Sequence, residues 1–187
     1  MEDEEEHLLA LVNKVLTLSK LEEGKLLLEK KEVSLRPIIE DLTEKFTAKA
    51  EKPVEFILDL QEEKVYADEE FLKEAVSNLI DNAIKYSEES VQIKISSSAS
   101  SNGYTHISVK DNGMGIPLKE QGKIFEKFER ASAVQRNRKG GAPGFGLGLN
   151  YVFHVVRAHH GSVKLESIEG EYSEFTINIP QQNKEMV

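Results

Sequence analysis

Near the start of the chain Leu8, Leu11, Val15 and Leu18 recur at 3-4-3 spacing, and Leu9, Val12 and Leu16 form a second apolar row beside them. The pattern predicts a helix from His7 to Leu21, preceded by five consecutive acids at 2–6 that suit a helix N-terminus and stopped at Gly24. A helix this short is not stable alone, so it must pack on something. It either covers its own domain or, the favoured reading, is the stub of a helical bundle whose other helices lie outside this chain.

Beyond it, Lys25 to Leu35 reads as extended, and Pro37 opens a helix at its first turn that continues to about Glu51. Strands are expected at Val54–Leu58 and Lys64–Tyr66, then a helix capped by Asp68 and running to about Tyr86. Val91–Ser97 and Tyr104–Lys110 are β-rich runs joined by a Ser/Asn/Gly turn, which favours a hairpin. A Gly-rich, basic stretch without apolar period fills roughly 111–145, interrupted by a short amphipathic piece at 118–128. A helix from about Gly146 to His160, ended by Gly161, precedes a closing hairpin of Ser162–Ser167 and Glu174–Ile179. Helices and strands mix without strict βαβ alternation, so an α+β layered sandwich is expected rather than a doubly wound sheet.

Composition narrows the function. At 187 residues, 39% apolar and 30% charged, the chain can bury one good core. It has no cysteine, which excludes disulfides and thiolate metal sites and fits a reducing, cytoplasmic setting. No apolar run approaches the roughly 20 residues of a membrane helix, and the first residues lack a signal-peptide pattern, so no membrane contact is expected of this segment. A formal charge of −9 argues against non-specific nucleic-acid binding. Yet residues 130–143 carry Arg130, Arg136, Arg138 and Lys139 with no acid among them, which points to a small anionic ligand.

Four segments carry candidate chemistry. In the helix "DEEFLKEAVSNLIDNAIKYS", Leu72, Ala75, Val76, Leu79, Ile80 and Ala83 form the stripe to be buried, and Glu74, Asn78, Asp81, Asn82 and Lys85 gather on the other side. Two asparagines one turn apart are poor helix formers, so amide oxygens are wanted there, as a hard cation such as Mg²⁺ would require. Lys85, one turn on, is within reach of a phosphate. The plain alternative is an exposed Asn-bearing face without a role. In "VKDNGMGIP" an acid at a strand end precedes Gly113 and Gly115, a backbone that can approach a ligand closely; Asp111 can accept from an exocyclic amine and so select adenine. Alone, this loop is equally readable as a turn or a calcium-loop fragment. In "GFGLGLNYV", Gly144, Gly146 and Gly148 open a helix whose N–H groups suit phosphate; no strand enters directly, which excludes a Rossmann fingerprint, and no Walker P-loop occurs. In "IFEKFERAS", Phe125 and Phe128 can anchor the segment to the core, and 131–143 has the character of a lid over a nucleotide tail.

In this order, the Asn-bearing helix, D-x-G-x-G, the phenylalanine pair and G-x-G-x-G resemble the N, first glycine, F and second glycine boxes of histidine kinase catalytic domains. These belong to a wider group with gyrase, MutL and the ninety-kilodalton heat-shock chaperone. The likeness spans about 25–180 and extends to "LVNKVLTLSKLEEGKL", similar to the end of a second dimerisation helix and its hinge. It implies a Bergerat-type two-layer sandwich, a mixed sheet on three helices, with an N-terminal helical stub: 1–24 helix and hinge, 25–182 ATP-binding domain, 183–187 tail. It implies ATP and Mg²⁺, with Asn82 holding the metal, Asn78, Lys85 and Arg130 acting at the phosphates, and Gly144, Gly146 and Gly148 cradling them. Tyr86 and Asp111 would meet adenine in a pocket shaped by Gly113 and Gly115, and Ile116, Phe128, Phe145, Leu147 and Leu149 complete the implied nucleotide-binding set. The γ-phosphate would pass to a histidine on a dimerisation helix and on to a response-regulator receiver domain. That histidine should precede an acid, and no such pair occurs here: His7 precedes Leu8 and reads as a surface residue, while His154, His159 and His160 read as ordinary helix-end residues. Tyr172 stands in the last turn where the family has glycine. The alternatives are a catalytically silent nucleotide-binding module and an ATPase or serine kinase of the same group.

Overall fold

The computed structural model describes residues 2–125 and 147–181. Helix α1 (Glu2–Glu22) ends in a two-bond cap: Lys25 N–H reaches Lys20 O at 3.0 Å, Gly24 N–H reaches Leu21 O at 3.2 Å, and Gly24 has φ +65°. Only glycine takes that left-handed turn without strain. The face of α1 turned to the domain is Leu11, Lys14, Leu18 and Leu21, with Leu18 and Leu21 buried. The other apolar positions, Leu8 and Val15 with Leu9, Val12 and Leu16, are exposed. The C-terminal half of the helix packs on its own domain, and an apolar face along it remains exposed. Each buried leucine contributes about 2 kcal/mol, enough to seat the last two turns.

Strand β1 (Lys30–Ser34) pairs antiparallel with β3 (Lys64–Asp68), making a two-stranded ribbon. Between them lie helix α2 (Leu35–Lys49), with Pro37 in its first turn, and strand β2 (Val54–Leu60). Helix α3 (Glu69–Lys85) follows β3 directly and buries Leu72, Ala75, Val76, Leu79, Ile80 and Ala83, the stripe expected from the sequence. Asp68 caps it, accepting from Phe71 N–H at 3.3 Å. Strands β4 (Val91–Ala99) and β5 (Tyr104–Asp111) form a hairpin turned at Gly103. A short α4 (Leu118–Gln121), helix α5 (Gly148–Ala158), and strands β6 (Ser162–Ile168) and β7 (Tyr172–Pro180) complete the described elements.

The larger sheet runs β2-β4-β5-β7-β6, parallel between β2 and β4 and antiparallel elsewhere. Its buried face alternates along each strand: Val91, Ile93 and Ile95 on β4, Ile107 and Val109 on β5, Phe175, Ile177 and Ile179 on β7. Helices α2, α3 and α5 cover that face, so the chain is an α+β two-layer sandwich with an N-terminal helix added. Two expectations change. Tyr172 is not in the last turn: it opens β7 opposite Ile168, with the Lys110 ammonium 4.4 Å from its ring centroid, and Gly170 (φ +83°) makes the turn. At the end of α5, the left-handed residue is His160 (φ 59°), while Gly161 is needed because a Cβ there would lie 2.0 Å from Asn178 O.

The histidines also differ from the reading as ordinary helix ends. His154 lies within α5, its Nε2 3.4 Å from Glu22 of α1. His159 is buried and accepts at Nε2 from Asp68 N–H at 3.0 Å, while its Nδ1 donates to Val155 O at 2.7 Å. That pair of bonds requires the neutral ring, and burial lowers its pKa from the ordinary 6.5. His159 thereby pins the end of α5 to the start of α3. Replacing it by alanine strands the Asp68 N–H, and His159→Ala is expected to lose about 1–3 kcal/mol in urea denaturation at pH 7. Because the folded pKa is depressed, the wild-type advantage should be full above 6.5 and shrink as pH falls below it.

Candidate functional site

The site begins with strand parity. Thr105, Ile107 and Val109 face the helices, so Asp111, two residues on, is carried to the same buried side, beside Ile93 and Ser173 on the flanking strands. A carboxyl group there loses water without gaining a cation among the described residues. Burial raises the Asp111 pKa from 3.8 to about 6, opposed only by the N–H of Gly113, which donates to Oδ1 at 2.9 Å. An acceptor held dry at a strand end, facing the helix layer, suits an amine donor of a ligand.

The backbone after Asp111 is stitched to two neighbours. Met114 N–H donates to Tyr86 O at 3.0 Å, joining the loop to the C-cap of α3. Gly113 allows that approach: a Cβ would lie 2.7 Å from Tyr86 O and 2.8 Å from Asp111 Oδ1. Gly115 (φ +65°) lies against the last hairpin, where a Cβ would stand 2.1 Å from Ile168 O. Ile116 N–H donates to Ser167 Oγ at 2.8 Å, and Gly170 N–H to Met114 O at 2.6 Å. Both glycines are thus required by close protein neighbours, the end of α3 on one side and the last hairpin on the other.

Helix α3 presents the other wall. Its polar side carries Asn78, Asp81, Asn82 and Lys85, all partly buried. Asn82's amide has no hydrogen-bond partner among the described residues, which leaves its oxygen as a hard donor for a cation. Lys85 pairs with Asp81 at 2.6 Å. Asn78 is oriented: its Nδ2 donates to Glu74 O at 2.9 Å, and its Oδ1 accepts from Lys14 of α1 at 3.1 Å. Helix α5 closes on the same residue, since a Cβ on Gly148 would lie 3.2 Å from Asn78 Oδ1. Leu147 is buried, Leu149 is half-buried, and Tyr151 donates through its hydroxyl to Glu74 at 3.0 Å. Asn78, Asn82, Lys85, Tyr86, Asp111, Gly113, Gly115 and Gly148 are thereby linked through α3, the glycine loop and the start of α5.

Phe125 anchors its segment as expected, with ring centroids 6.0 Å from Phe153 and 6.1 Å from Phe175. Arg130, Phe128, Gly144, Phe145, Gly146, Arg136, Arg138 and Lys139 lie outside the described residues. Three participants were not anticipated. Ser167 ties the loop to the hairpin, Asn150 donates to Phe125 O at 2.8 Å, and Lys14 enters from α1. A polar residue in an apolar helical row is the signal common to Asn150 and Lys14.

A model of the histidine kinase-, DNA gyrase B- and HSP90-like ATPase family matches residues 67–183. The adaptive-response sensory kinase SasA of Crocosphaera subtropica is 34% identical over 91% of the chain and 44% of its own length. Among solved structures, the Acinetobacter baumannii histidine kinase AdeS superposes with a TM-score of 0.78 at 27% identity, over 97% of this chain and 82% of that one. Full-length ShkA in complex with AMPPNP gives 0.78 at 29% identity, over 93% of this chain and 36% of that one. The chain spans less than half the length of the curated relatives it matches, 44% of one and 30% of another.

The burial of Asp111 sets a test of the empty protein. A carboxyl-detected NMR titration should place its midpoint near 6. Between 3.8 and 6 the folded state keeps a proton the unfolded state has released, so wild type should gain stability over Asp111→Asn as pH falls and lose it as pH rises through 6.

Proposed function

Because the chain belongs to the histidine kinase-, DNA gyrase B- and HSP90-like ATPase family, we propose that it binds ATP with magnesium and delivers the γ-phosphate to a histidine on a dimerisation helix outside this chain. The observation that carries the reading is a buried Asp111, without a cation partner among the described residues, at a glycine loop tied to the end of the helix that bears Asn78, Asn82 and Lys85. Asp111 accepts from the adenine amine, and Gly113 and Gly115 let the loop beside it pack backbone to backbone against the end of α3 and the last hairpin. Tyr86, at the end of α3, borders the same loop.

The residues present fit a magnesium–phosphate group. Asn82 offers an unengaged amide oxygen, Asn78 sits one turn earlier beside the start of α5, and Lys85 follows one turn on. Bound magnesium supplies charge neutralisation for the transferring phosphoryl group. The protein's work is positioning: α3 holds the donors on a rigid wall, and Gly148 brings the N-terminus of an 11-residue helix against Asn78. Arg130 and the glycines at 144 and 146 would complete the phosphate side. The relatives named as kinases favour transfer to histidine over hydrolysis. A receiver domain would then take the phosphoryl group from that histidine. In this reading residues 1–24 are the end of the dimerisation helix, and the remainder to 182 is the nucleotide-binding domain.

The test supplies the parent protein's dimerisation helices as a separate fragment with labelled ATP. Magnesium-dependent, acid-labile label should appear on the fragment, and Asn82→Ala should reduce the rate at least about a hundredfold. ATP binding without transfer would favour the silent module, and acid-stable label would favour a hydroxyl acceptor.

A further inference from the structure

Lys14 occupies a place where packing alone would put leucine. Leu11, Lys14, Leu18 and Leu21 form the inward row of α1, with Leu18 and Leu21 buried and Leu11 packed on the core. The lysine stem follows that row, and its ammonium lies 5.5 Å from the Tyr151 ring centroid. The head group then donates to Asn78 Oδ1 at 3.1 Å. Asn78's amide has little freedom to turn away, because its Nδ2 is held by Glu74 O.

The charges around the ammonium are informative. Burial lowers its basicity, Glu74 and Asp81 attract it, and Lys85 repels it. Its hydrogen bond goes to a neutral amide. Lys85 of α3 is paired with Asp81 at 2.6 Å, whereas Lys14 bears the desolvation of its charge and gives its hydrogen bond to a neutral group. The start of α5 lies at the same place, with Gly148 packed on the amide oxygen that Lys14 holds. An ammonium held by a neutral amide beside a helix N-terminus gains a stronger partner when a phosphate oxygen is placed there.

We propose that Lys14 is a phosphate ligand of the bound nucleotide, contributed by helix α1 and not by the catalytic layers. The proposal rests on the ATP-binding reading and adds to it a residue from outside the family-matched segment, which begins at 67. When nucleotide enters, the ammonium passes from the Asn78 oxygen to a phosphate oxygen and releases the amide for the ligand. Phosphate binding and the docked position of α1 then support each other, so a shift of α1 alters nucleotide affinity.

Calorimetric titration of Mg-ATP and of adenosine into the 187-residue chain tests this in wild type, Lys14→Met and Lys14→Arg. The methionine keeps the stem in its row, and the arginine keeps the charge. Lys14→Met should weaken Mg-ATP about tenfold, the size of one charge-assisted hydrogen bond, leave adenosine binding unchanged, and melt with wild type. Lys14→Arg should recover most of the loss. Equal or tighter Mg-ATP binding by Lys14→Met, in a wild type that binds, overturns the role of Lys14 alone. Parallel losses of adenosine and ATP overturn it too, by assigning the lysine to packing. A folded wild type that binds no nucleotide overturns the ATP reading and this proposal together.

Discussion

The parity of β5 is the constraint on which the site depends. Alternate residues from Thr105 onward face the helices, and the strand keeps that alternation to its last residue, so Asp111 arrives under the helical layer between Ile93 and Ser173. One residue more or fewer in the strand would turn the carboxyl to the solvent side. Everything downstream holds this placement: Gly113 allows the chain to pass over the carboxyl, Met114 ties it to the end of α3, and Gly115 and Ile116 tie it to the last hairpin. A buried carboxyl with no cation is unfavourable in isolation. Its retention at a loop that a ligand can approach is the physical basis for reading it as a recognition group.

The second wall comes from helix amphipathicity. The buried stripe of α3 sets its rotation on the sheet, and that rotation fixes Asn78, Asn82 and Lys85 on the opposite side. The ends of α3 are then held independently. Asp68 caps the start and receives His159 from the end of α5, while the carbonyl of Tyr86 receives the glycine loop. The helix carrying Asn78, Asn82 and Lys85 is therefore fastened at both ends, to α5 and to the glycine loop.

Much of this was legible in the residue pattern. The α3 stripe, the Asp68 cap, the hairpin of β4 and β5 and the anchoring by Phe125 follow from short-range rules, because each depends on neighbours within a turn or a strand. What was not legible depends on distant partners. The inward row of α1 was not legible because Lys14 interrupts it, and the partner of that lysine lies on α3, 64 residues away. His159 looks like any helix-end histidine until Asp68, 91 residues earlier, is placed beside it. Gly161 reads as a helix stop, but its requirement is the close approach of Asn178, and the left-handed turn falls on His160. Asparagines on a helix and glycines in a loop each admitted a plain reading; their convergence on one wall is a tertiary fact.

We propose that this domain recognises a nucleotide by its base through Asp111, with the phosphates held by α3 and the start of α5. Competitive calorimetry of Mg-ATP against Mg-GTP on the wild-type chain and Asp111→Asn tests that claim most directly. Wild type should prefer ATP by at least about a hundredfold, since guanine presents no amine at that position and leaves the buried carboxyl unpaired, and Asp111→Asn should lose most of the preference. A wild type that binds GTP as tightly as ATP, or an Asp111→Asn protein that keeps the full preference, would contradict it.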